Sequence, residues 1–417
     1  MGARFMPSRC CWNIDLAALN PGVFTLLLTA NTSEVRGTGI KVIPKEIGQL
    51  TNLRLLDAGY CPYLSHVTPG VISKLTWLEE LYIGTPHSNV ASRLGLMEIS
   101  NLKSFSALHL WMDSDKCHIF PEEFFFRFIN QRLIDFERLL FENSHGYIIN
   151  LERPRSYLKR QLHIQVSDFP LKMPIKKLFQ VSDGILLEAL QDLDNIIPDL
   201  YGESVDELKS IELDRCYNVS CLVKTTDENA THTIGASNDL GQRKTKEKFF
   251  SKVEKIHLSD LNNLKLLFDC SFQCISLGNL QDIEIAYCSS LLTLFPFSVA
   301  QGLSNLRCIS ICWCDSLMVV ISGGDEQATG SDNEQIEDSK TEVGTYDANI
   351  EFTSLTRIYL INLPQLQSFY SGGSLMKYPS LEFITVEGCP SMKRWGSGIH
   401  DMPNGKFCDE KNLNLFH

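Results

Sequence analysis

The sequence predicts an α/β solenoid in which short parallel strands stack side by side and irregular or short-helical segments return on the opposite side. Three observations support this fold class. A phrase of apolar residues recurs at fixed offsets, neighbouring copies begin 25 to 27 residues apart (at positions 53, 78 and 105), and copies cover most of the 417 residues. One such repeat cannot bury its apolar face alone. We therefore expect the copies to stack into a curved horseshoe with a parallel concave sheet.

The phrase is clearest in the C-terminal half. Three copies share an apolar pair and a Cys three residues after the pair, and each begins about 26 residues from a neighbouring copy: Leu280-x-x-Ile283-x-Ile285-x-x-Cys288-x-x-Leu291, Leu306-x-x-Ile309-x-Ile311-x-x-Cys314-x-x-Leu317 and Leu381-x-x-Ile384-x-Val386-x-x-Cys389-x-x-Met392. This combination is the signature of a leucine-rich repeat.

Other copies keep the same offsets with substitutions at one or two positions. They begin at or near Leu53, Leu78, Phe105, Ile185, Leu208, Val253 and Leu355. Between about 115 and 180 the register is weak, and Leu162-x-Ile164 is predicted to be a degenerate copy.

Each position of the phrase has a physical reason. The apolar pair predicts a short strand whose two apolar side chains point inward while the residue between them points outward, because side chains alternate in an extended chain. The Cys, Asp or Leu that follows lies at an inward bend, where a thiol packs as a small hydrophobic group. Segments such as 67–75 and 295–303 carry Pro and Gly and predict short turns on the convex side.

The phrase places the solenoid at residues 23–395, between an irregular segment at 1–22 and a tail at 396–417. Two polar inserts interrupt the period, at about 225–248 and 322–351. The second insert carries nine acidic residues against one lysine. Both compositions favour solvated loops that leave the solenoid undisturbed, although a regulatory contact of the acidic loop is an alternative.

Composition restricts the partners. The net charge of -12 and the pI of about 5.4 argue against nucleic acid and anionic membranes as ligands. No apolar run approaches the ~20 residues of a membrane-spanning helix. Five of the fourteen cysteines occupy the bend position and the others lack paired spacing, which favours a reducing, cytoplasmic location. The sequons at Asn31, Asn218 and Asn229 are the observation that favours secretion instead.

Motifs of enzymes are not found. The sequence has no phosphate-binding loop and no metalloprotease, hydrolase or kinase motif, so we expect neither catalysis nor a cofactor. Cys308 and Cys312 lie four residues apart on one predicted strand, hence about 13 Å apart, which is too far to share a zinc ion. No metal site is predicted.

The candidate binding residues are the outward-facing ones between the two apolar positions of each strand. This row consists of Asp57, Tyr82, His109, His163, Leu186, Glu212, His257, Glu284, Ser310, Tyr359 and Thr385. From the row and its neighbour Trp111 we predict a protein-binding site formed by Tyr82, His109, Trp111, His257, Glu284 and Tyr359. Tyr and Trp anchor many protein interfaces. The alternative is that these aromatic residues only cover the sheet near an N-terminal cap.

Several segments resemble a known family. Residues 47–56 and 71–83, Pro121-Glu-Glu-Phe-Phe125 and the stretch 294–303 are similar to the repeat region of plant intracellular coiled-coil, nucleotide-binding, leucine-rich-repeat disease-resistance proteins. The resemblance covers about residues 23–395. It implies a module that senses pathogen effectors or modified host proteins and holds a receptor inactive until then.

The chain departs from this family because no nucleotide-binding domain is recognised, so nucleotide binding is not expected. The expected partner is a pathogen effector or a host protein. Alternatives are a repeat-type adaptor that recognises substrates for ubiquitination, a truncated paralogue that does not signal, a fragmentary gene product, a repeat-only partner of a complete receptor, and an extracellular ligand-binding domain.

Overall fold

A computed structural model describes the chain in segments, which form two compact units. The first unit comprises Met1–Ser167 and Lys172–Ser182, and the second comprises Asp168–Leu171 and Asp183–His417. The described residues are 32–34, 36–37, 39–84, 96–99, 102, 104–111, 138–142, 148–152, 160–165, 178–179, 182–191, 193–201, 207–224, 248–270, 274–323, 349–396, 399–403 and 406–407.

Short strands make up most of the regular structure described in the first unit. They are β1 (Thr32–Glu34), β2 (Val42–Ile43), β3 (Leu55–Gly59), β4 (His66–Val67), β5 (Glu80–Gly84), β6 (Ala107–Trp111), β7 (Arg138–Glu142), β8 (Ile148–Glu152) and β9 (Gln161–Gln165). The helical segments include the 3-10 turns Lys45–Gln49 and Ile72–Lys74 and the helix α1 (Leu96–Ile99).

The sheet of the first unit follows the order β1-β3-β5-β6-β7-β8-β9, and β2 pairs separately with β4. From β1 to β7 every pairing is parallel. Leu56, Leu81 and Leu108 are register partners and each is at most 1% exposed. The predicted strand positions are therefore confirmed in this part of the chain.

The prediction of a wholly parallel sheet is wrong at β8, which runs antiparallel to both β7 and β9. Chain length explains the difference. Only residues 143–147 separate β7 from β8, whereas a parallel crossover needs a dozen or more residues. The predicted copy at Leu162 and Ile164 is confirmed as β9, in which both side chains are fully buried.

The second unit is also built from short strands. They are β10 (Gly184–Glu188), β11 (Ser210–Asp214), β12 (Val223–Lys224), β13 (Lys255–Ser259), β14 (Phe268–Asp269), β15 (Asp282–Ala286), β16 (Thr293–Pro296), β17 (Cys308–Cys312), β18 (Val319–Ser322), β19 (Ile350–Glu351), β20 (Arg357–Ile361), β21 (Ser368–Tyr370), β22 (Met376–Lys377), β23 (Phe383–Glu387), β24 (His400–Asp401) and β25 (Lys406–Phe407). The one α-helix described here is α2 (Phe297–Ala300).

The main sheet of the second unit has the order β10-β11-β13-β15-β17-β20-β23-β25, and all its pairings are parallel. Smaller parallel sheets, β12-β14, β16-β18-β21 and β19-β22-β24, are formed by the returning segments. The predicted solenoid class, with parallel strands and little helix, is confirmed.

Two ladders of apolar side chains form the core under this sheet. The residues at the first inward position pair in register and are at most 1% exposed: Ile211, Ile256, Ile283, Ile309, Ile358 and Ile384. The second ladder consists of Leu213, Leu258, Ile285, Ile311, Leu360 and Val386. Stacking of equivalent residues provides each turn with the buried neighbour that a single repeat lacks.

The inserts do not interrupt the ladders. β11 pairs directly with β13, and β17 pairs directly with β20. Strand residues reach Ser322 and resume at Ile350, so the second insert is confined to the residues between β18 and β19. Most of both predicted inserts, as well as residues 1–22, lies outside the described residues.

The last turns contain an aromatic core. Trp395 stacks on Phe369 with ring centroids 4.5 Å apart, and its indole N–H donates to the Tyr378 hydroxyl at 3.3 Å. β24 and β25 lie beyond residue 395, where the sequence placed a tail, and they continue the β22 and β23 ladders.

Candidate protein-interaction surface

The outward residues of the second unit form one row across the main sheet. Consecutive register partners are Leu186, Glu212, His257, Glu284, Ser310, Tyr359 and Thr385. Neighbouring strands lie about 4.8 Å apart, so a single extended ligand can touch several of these side chains. Each is half-buried or exposed, whereas the residues on either side of it in the strand are core.

Polar side chains occupy most of the first half of this row. His257 and Glu284 approach with Nδ1 and Oε2 3.7 Å apart, and their side chains are 50% and 58% exposed. A pair exposed to this extent contributes little to stability, about 1 kcal/mol or less. The two groups therefore remain accessible for contacts with a ligand. Tyr359 lies two strands further along the same row.

Glu188, Asp214 and Arg215 form a charged cluster at the ends of β10 and β11. The Arg215 guanidinium donates to Asp214 at 2.8 Å and lies 3.7 Å from a Glu188 oxygen. Two carboxylates share one cation in this cluster, so it retains a net negative charge.

The candidate residues of the first unit form an aromatic pair. Tyr82 and His109 are register partners whose rings meet edge to face, with centroids 6.0 Å apart and an interplanar angle of 81°. The Tyr82 hydroxyl donates to the Glu80 carboxylate at 2.7 Å, which fixes the orientation of its ring. Trp111 ends the same strand as His109, but the contacts of its side chain lie outside the described residues.

The row of the first unit differs from the predicted one beyond His109. Register partners run from His109 to Leu140 on β7, Asn150 on β8 and His163 on β9. Sequence reasoning missed Leu140 and Asn150 because the repeat phrase is absent around β7 and β8. The alternation of Ile148-Ile-Asn-Leu-Glu152 was the signal for a strand.

The predicted bend cysteines are buried in four of five cases. Cys61, Cys216, Cys288 and Cys314 are fully enclosed, whereas Cys389 near the C-terminal end is half-buried. Burial raises the pKa of the Cys216 thiol to about 11, which keeps it protonated and unreactive at neutral pH. Cys61, Cys288 and Cys314 are buried to the same extent, so these thiols pack as small apolar groups.

Two further features are absent from the described residues. No group of three or more His, Cys, Asp or Glu residues is arranged to hold a metal ion. No helix in this part of the chain is long and apolar enough to span a bilayer.

The 25- to 27-residue period, the parallel register and the buried ladders define a leucine-rich-repeat solenoid. Residues 161–315 match the family described as plant disease resistance protein RPS2-like, leucine-rich repeats. The resemblance to the repeat region of plant disease-resistance proteins is confirmed over this stretch. A comparison with curated proteins gives no match.

Solved structures with some likeness include two that are described as leucine-rich-repeat proteins. The plant peptide hormone receptor RGFR1 in complex with RGF2 has 12% identity and a TM-score of 0.26, with 90% of this chain and 67% of that chain covered. The ectodomain of GASSHO1/SCHENGEN3 from Arabidopsis thaliana has 14% identity and a TM-score of 0.22, with 90% of this chain and 44% of that chain covered. The Leptospira interrogans protein LIC12759 has 14% identity and a TM-score of 0.23, with 95% of this chain and 78% of that chain covered.

Proposed function

We propose that this protein is a recognition module in plant defence that binds a pathogen effector or a host protein through the outward faces of its strands. The observation that supports this proposal is the outward row itself. Side chains of varied chemistry stand at one strand spacing from each other on a sheet whose opposite face is completely buried. Such a surface is rigid before it meets a ligand, which lowers the ordering cost of binding.

The biological setting comes from the family match. Residues 161–315 match the leucine-rich repeats of plant disease-resistance proteins, and this match supports the cytoplasm as the proposed location. The acidic net charge of -12 favours a protein ligand over nucleic acid. A leucine-rich-repeat solenoid is typically an interaction module, so the proposal includes no catalytic step.

The proposed contacts form two groups, one in each unit. Tyr82, His109 and Trp111 supply an aromatic group in the first unit. His257, Glu284 and Tyr359 supply a polar group in the second unit. Aromatic residues are the commonest anchors of protein interfaces, so the first group is the proposed centre of the binding energy.

The test begins with affinity purification and mass spectrometry from infected and healthy plant tissue. Once a partner is identified, Tyr82→Ala combined with Trp111→Ala should weaken its binding by about 2 kcal/mol or more, measured by calorimetry. The control combines Tyr63→Ala with Trp77→Ala, because these aromatic side chains of the same unit are 66% and 55% exposed but lie in turns outside the strands. The control should leave the affinity unchanged.

Two results would count against the proposal. Equal affinity of the Tyr82/Trp111 variant and the parent protein would remove the aromatic group from the binding site. Recovery of ubiquitin-ligase components in place of an effector or a defence protein would favour the adaptor function instead.

A further inference from the structure

Each described strand of the second unit's main sheet from β10 to β23 is followed by a residue in the left-handed conformation. The φ angles at these edge positions lie between 54° and 65°, for Ala189, Arg215, Asp260, Tyr287, Trp313, Asn362 and Gly388. This conformation turns the chain so that the residue after one strand donates its backbone N–H to the backbone carbonyl of the last residue in the next strand. Tyr287 donates to Cys312 at 3.1 Å, and Trp313 donates to Ile361 at 2.9 Å.

Gly388 and Asn362 show what the turn itself requires. Glycine and asparagine adopt a positive φ at the least steric cost. At Gly388 a side chain is also excluded by the close approach of Asn362. A large aromatic residue is an unfavourable choice for such a position, and the strain is of order 1 kcal/mol or more. The turn therefore gives no reason for Tyr or Trp.

Tyr287 and Trp313 nevertheless occupy two consecutive edge positions, and together we call them the aromatic shelf. Their rings are nearly parallel, with centroids 6.1 Å apart and an interplanar angle of 10°. Each residue remains 49% exposed, so neither belongs to the core. Because about half of each residue is exposed, part of the stacked pair is accessible to a third planar group.

Carboxylates lie along the same edge on both sides of the aromatic shelf. Asp260 precedes Tyr287 by one strand, and Glu387 ends the strand two steps beyond Trp313. Asp315, two residues after Trp313, is exposed. From Asp260 to Glu387 there are four strand spacings, or about 19 Å, which an extended chain covers in about six residues.

We propose that the aromatic shelf binds an extended basic segment of a partner protein, with an arginine of that segment stacked on the Tyr287–Trp313 pair. This inference rests on the proposed function in protein recognition and adds the chemistry of the ligand. A guanidinium is planar and stacks on aromatic faces, whereas a lysine ammonium does so less well. Asp260 and Glu387 attract the basic residues on either side of the arginine.

Three labelled peptides test the ligand chemistry. They are capped heptapeptides in which Gly alternates with three Arg, three Lys or three Glu residues, titrated with the protein at low salt and followed by fluorescence anisotropy. We expect the Arg peptide to bind about threefold to tenfold more tightly than the Lys peptide. The Glu peptide should not bind.

Substitutions then separate stacking from charge. Tyr287→Ala with Trp313→Ala should abolish the preference for Arg over Lys and leave the affinity for the Lys peptide nearly unchanged. Asp260→Asn with Glu387→Gln should weaken both cationic peptides equally and preserve the preference. The control is Tyr63→Ala with Trp77→Ala, which removes exposed aromatic rings of the first unit and should change neither peptide's affinity. All substituted side chains are at least partly exposed, so circular dichroism should show an unchanged fold.

Three results would overturn the inference. The first is equal binding of the Arg and Lys peptides to the parent protein. The second is an Arg preference that survives loss of both shelf residues. The third is concentration-dependent dimerisation in sedimentation velocity that Tyr287→Ala with Trp313→Ala abolishes, because the occupant would then be a second copy of the chain. The titration requires no natural partner, so an empty affinity purification would contradict the proposed function without changing the peptide result.

Discussion

At the residue scale, neighbouring side chains of one strand have opposite roles. In β15 the side chains of Ile283 and Ile285 are at most 1% exposed, whereas the Glu284 side chain between them is 58% exposed. A shift of register by one residue would exchange these environments along the whole ladder. The repeat phrase therefore specifies not only that strands form but also which side chains a ligand can reach.

Ile283→Asp provides a test of this assignment. It places a carboxylate among apolar side chains without a partner, which costs several kcal/mol against a total stability of about 5–15 kcal/mol. We expect loss of soluble expression, and the same for Ile309→Asp, whose position is also fully buried. The matched controls Glu284→Ala and Ser310→Ala alter outward residues of the same strands and should keep the parental yield and melting temperature. Similar yields in both sets would show that the register is wrong.

The sequence predicted the inward residues of these strands but not the aromatic shelf. Alternation in an extended chain determines the direction of every side chain from Asp282 to Ala286. Beyond the strand, the direction depends on a positive φ at Tyr287, which no periodicity reveals. The signal available in the sequence was an aromatic residue immediately before the bend cysteine in two consecutive copies, Tyr287-Cys288 and Trp313-Cys314.

At the scale of elements, the predictions succeeded where the phrase repeats and failed where it does not. Parallel strands pair in the expected register from β10 to β23. The antiparallel strand β8 was missed because its connection is short and its apolar residues do not follow the repeat offsets. The short strand β24 was also missed, since the two residues His400 and Asp401 carry no recognisable pattern.

We expect β24 to make the stability of the second unit depend on pH. His400 pairs in register with Met376, its ring lies 6.3 Å from that of Tyr378, and neither ring nitrogen has a hydrogen-bond partner. Burial lowers the pKa of His400 to about 4 from its ordinary 6.5. Between these values the unfolded chain binds the proton more readily than the folded protein does. The contribution of His400 to stability is therefore complete above pH 6.5 and is lost as the pH falls toward 4.

The measurement is urea unfolding at several pH values between 7 and 5, before most carboxylates titrate. His400→Leu, which removes the titrating group, should flatten the fall in the free energy of unfolding across this range. The control His66→Leu changes a histidine of the first unit at the half-exposed end of another two-residue strand, β4. It should retain the pH dependence of the parent protein. Identical slopes for the parent and the His400 variant would contradict the assignment.

At the scale of the whole molecule, repetition explains why two insertions are tolerated. A solenoid turn contacts mainly the turns before and after it, so its stability is a sum of neighbouring interfaces. β17 and β20 pair at five register positions, as β15 and β17 do with no insert between them, although Leu306 and Leu355 are 49 residues apart. Extra length in a surface connection costs little because the entropy of loop closure grows only with the logarithm of its length.

Deleting residues 325–346 should therefore leave the fold intact. The deletion shortens the spacing from Leu306 to Leu355 from 49 to 27 residues, which equals the spacing from Val253 to Leu280. It retains β18 and β19, and with them the pairings of both strands. We expect the free energy of unfolding to change by about 1 kcal/mol or less. A deletion of equal length, 281–302, is the control: it removes β15 with the buried Ile283 and Ile285, so it should lower the free energy of unfolding by several times more than the loop deletion does. A large loss of stability in the 325–346 variant would show that the acidic insert contributes contacts to the solenoid, and would favour a regulatory role for it.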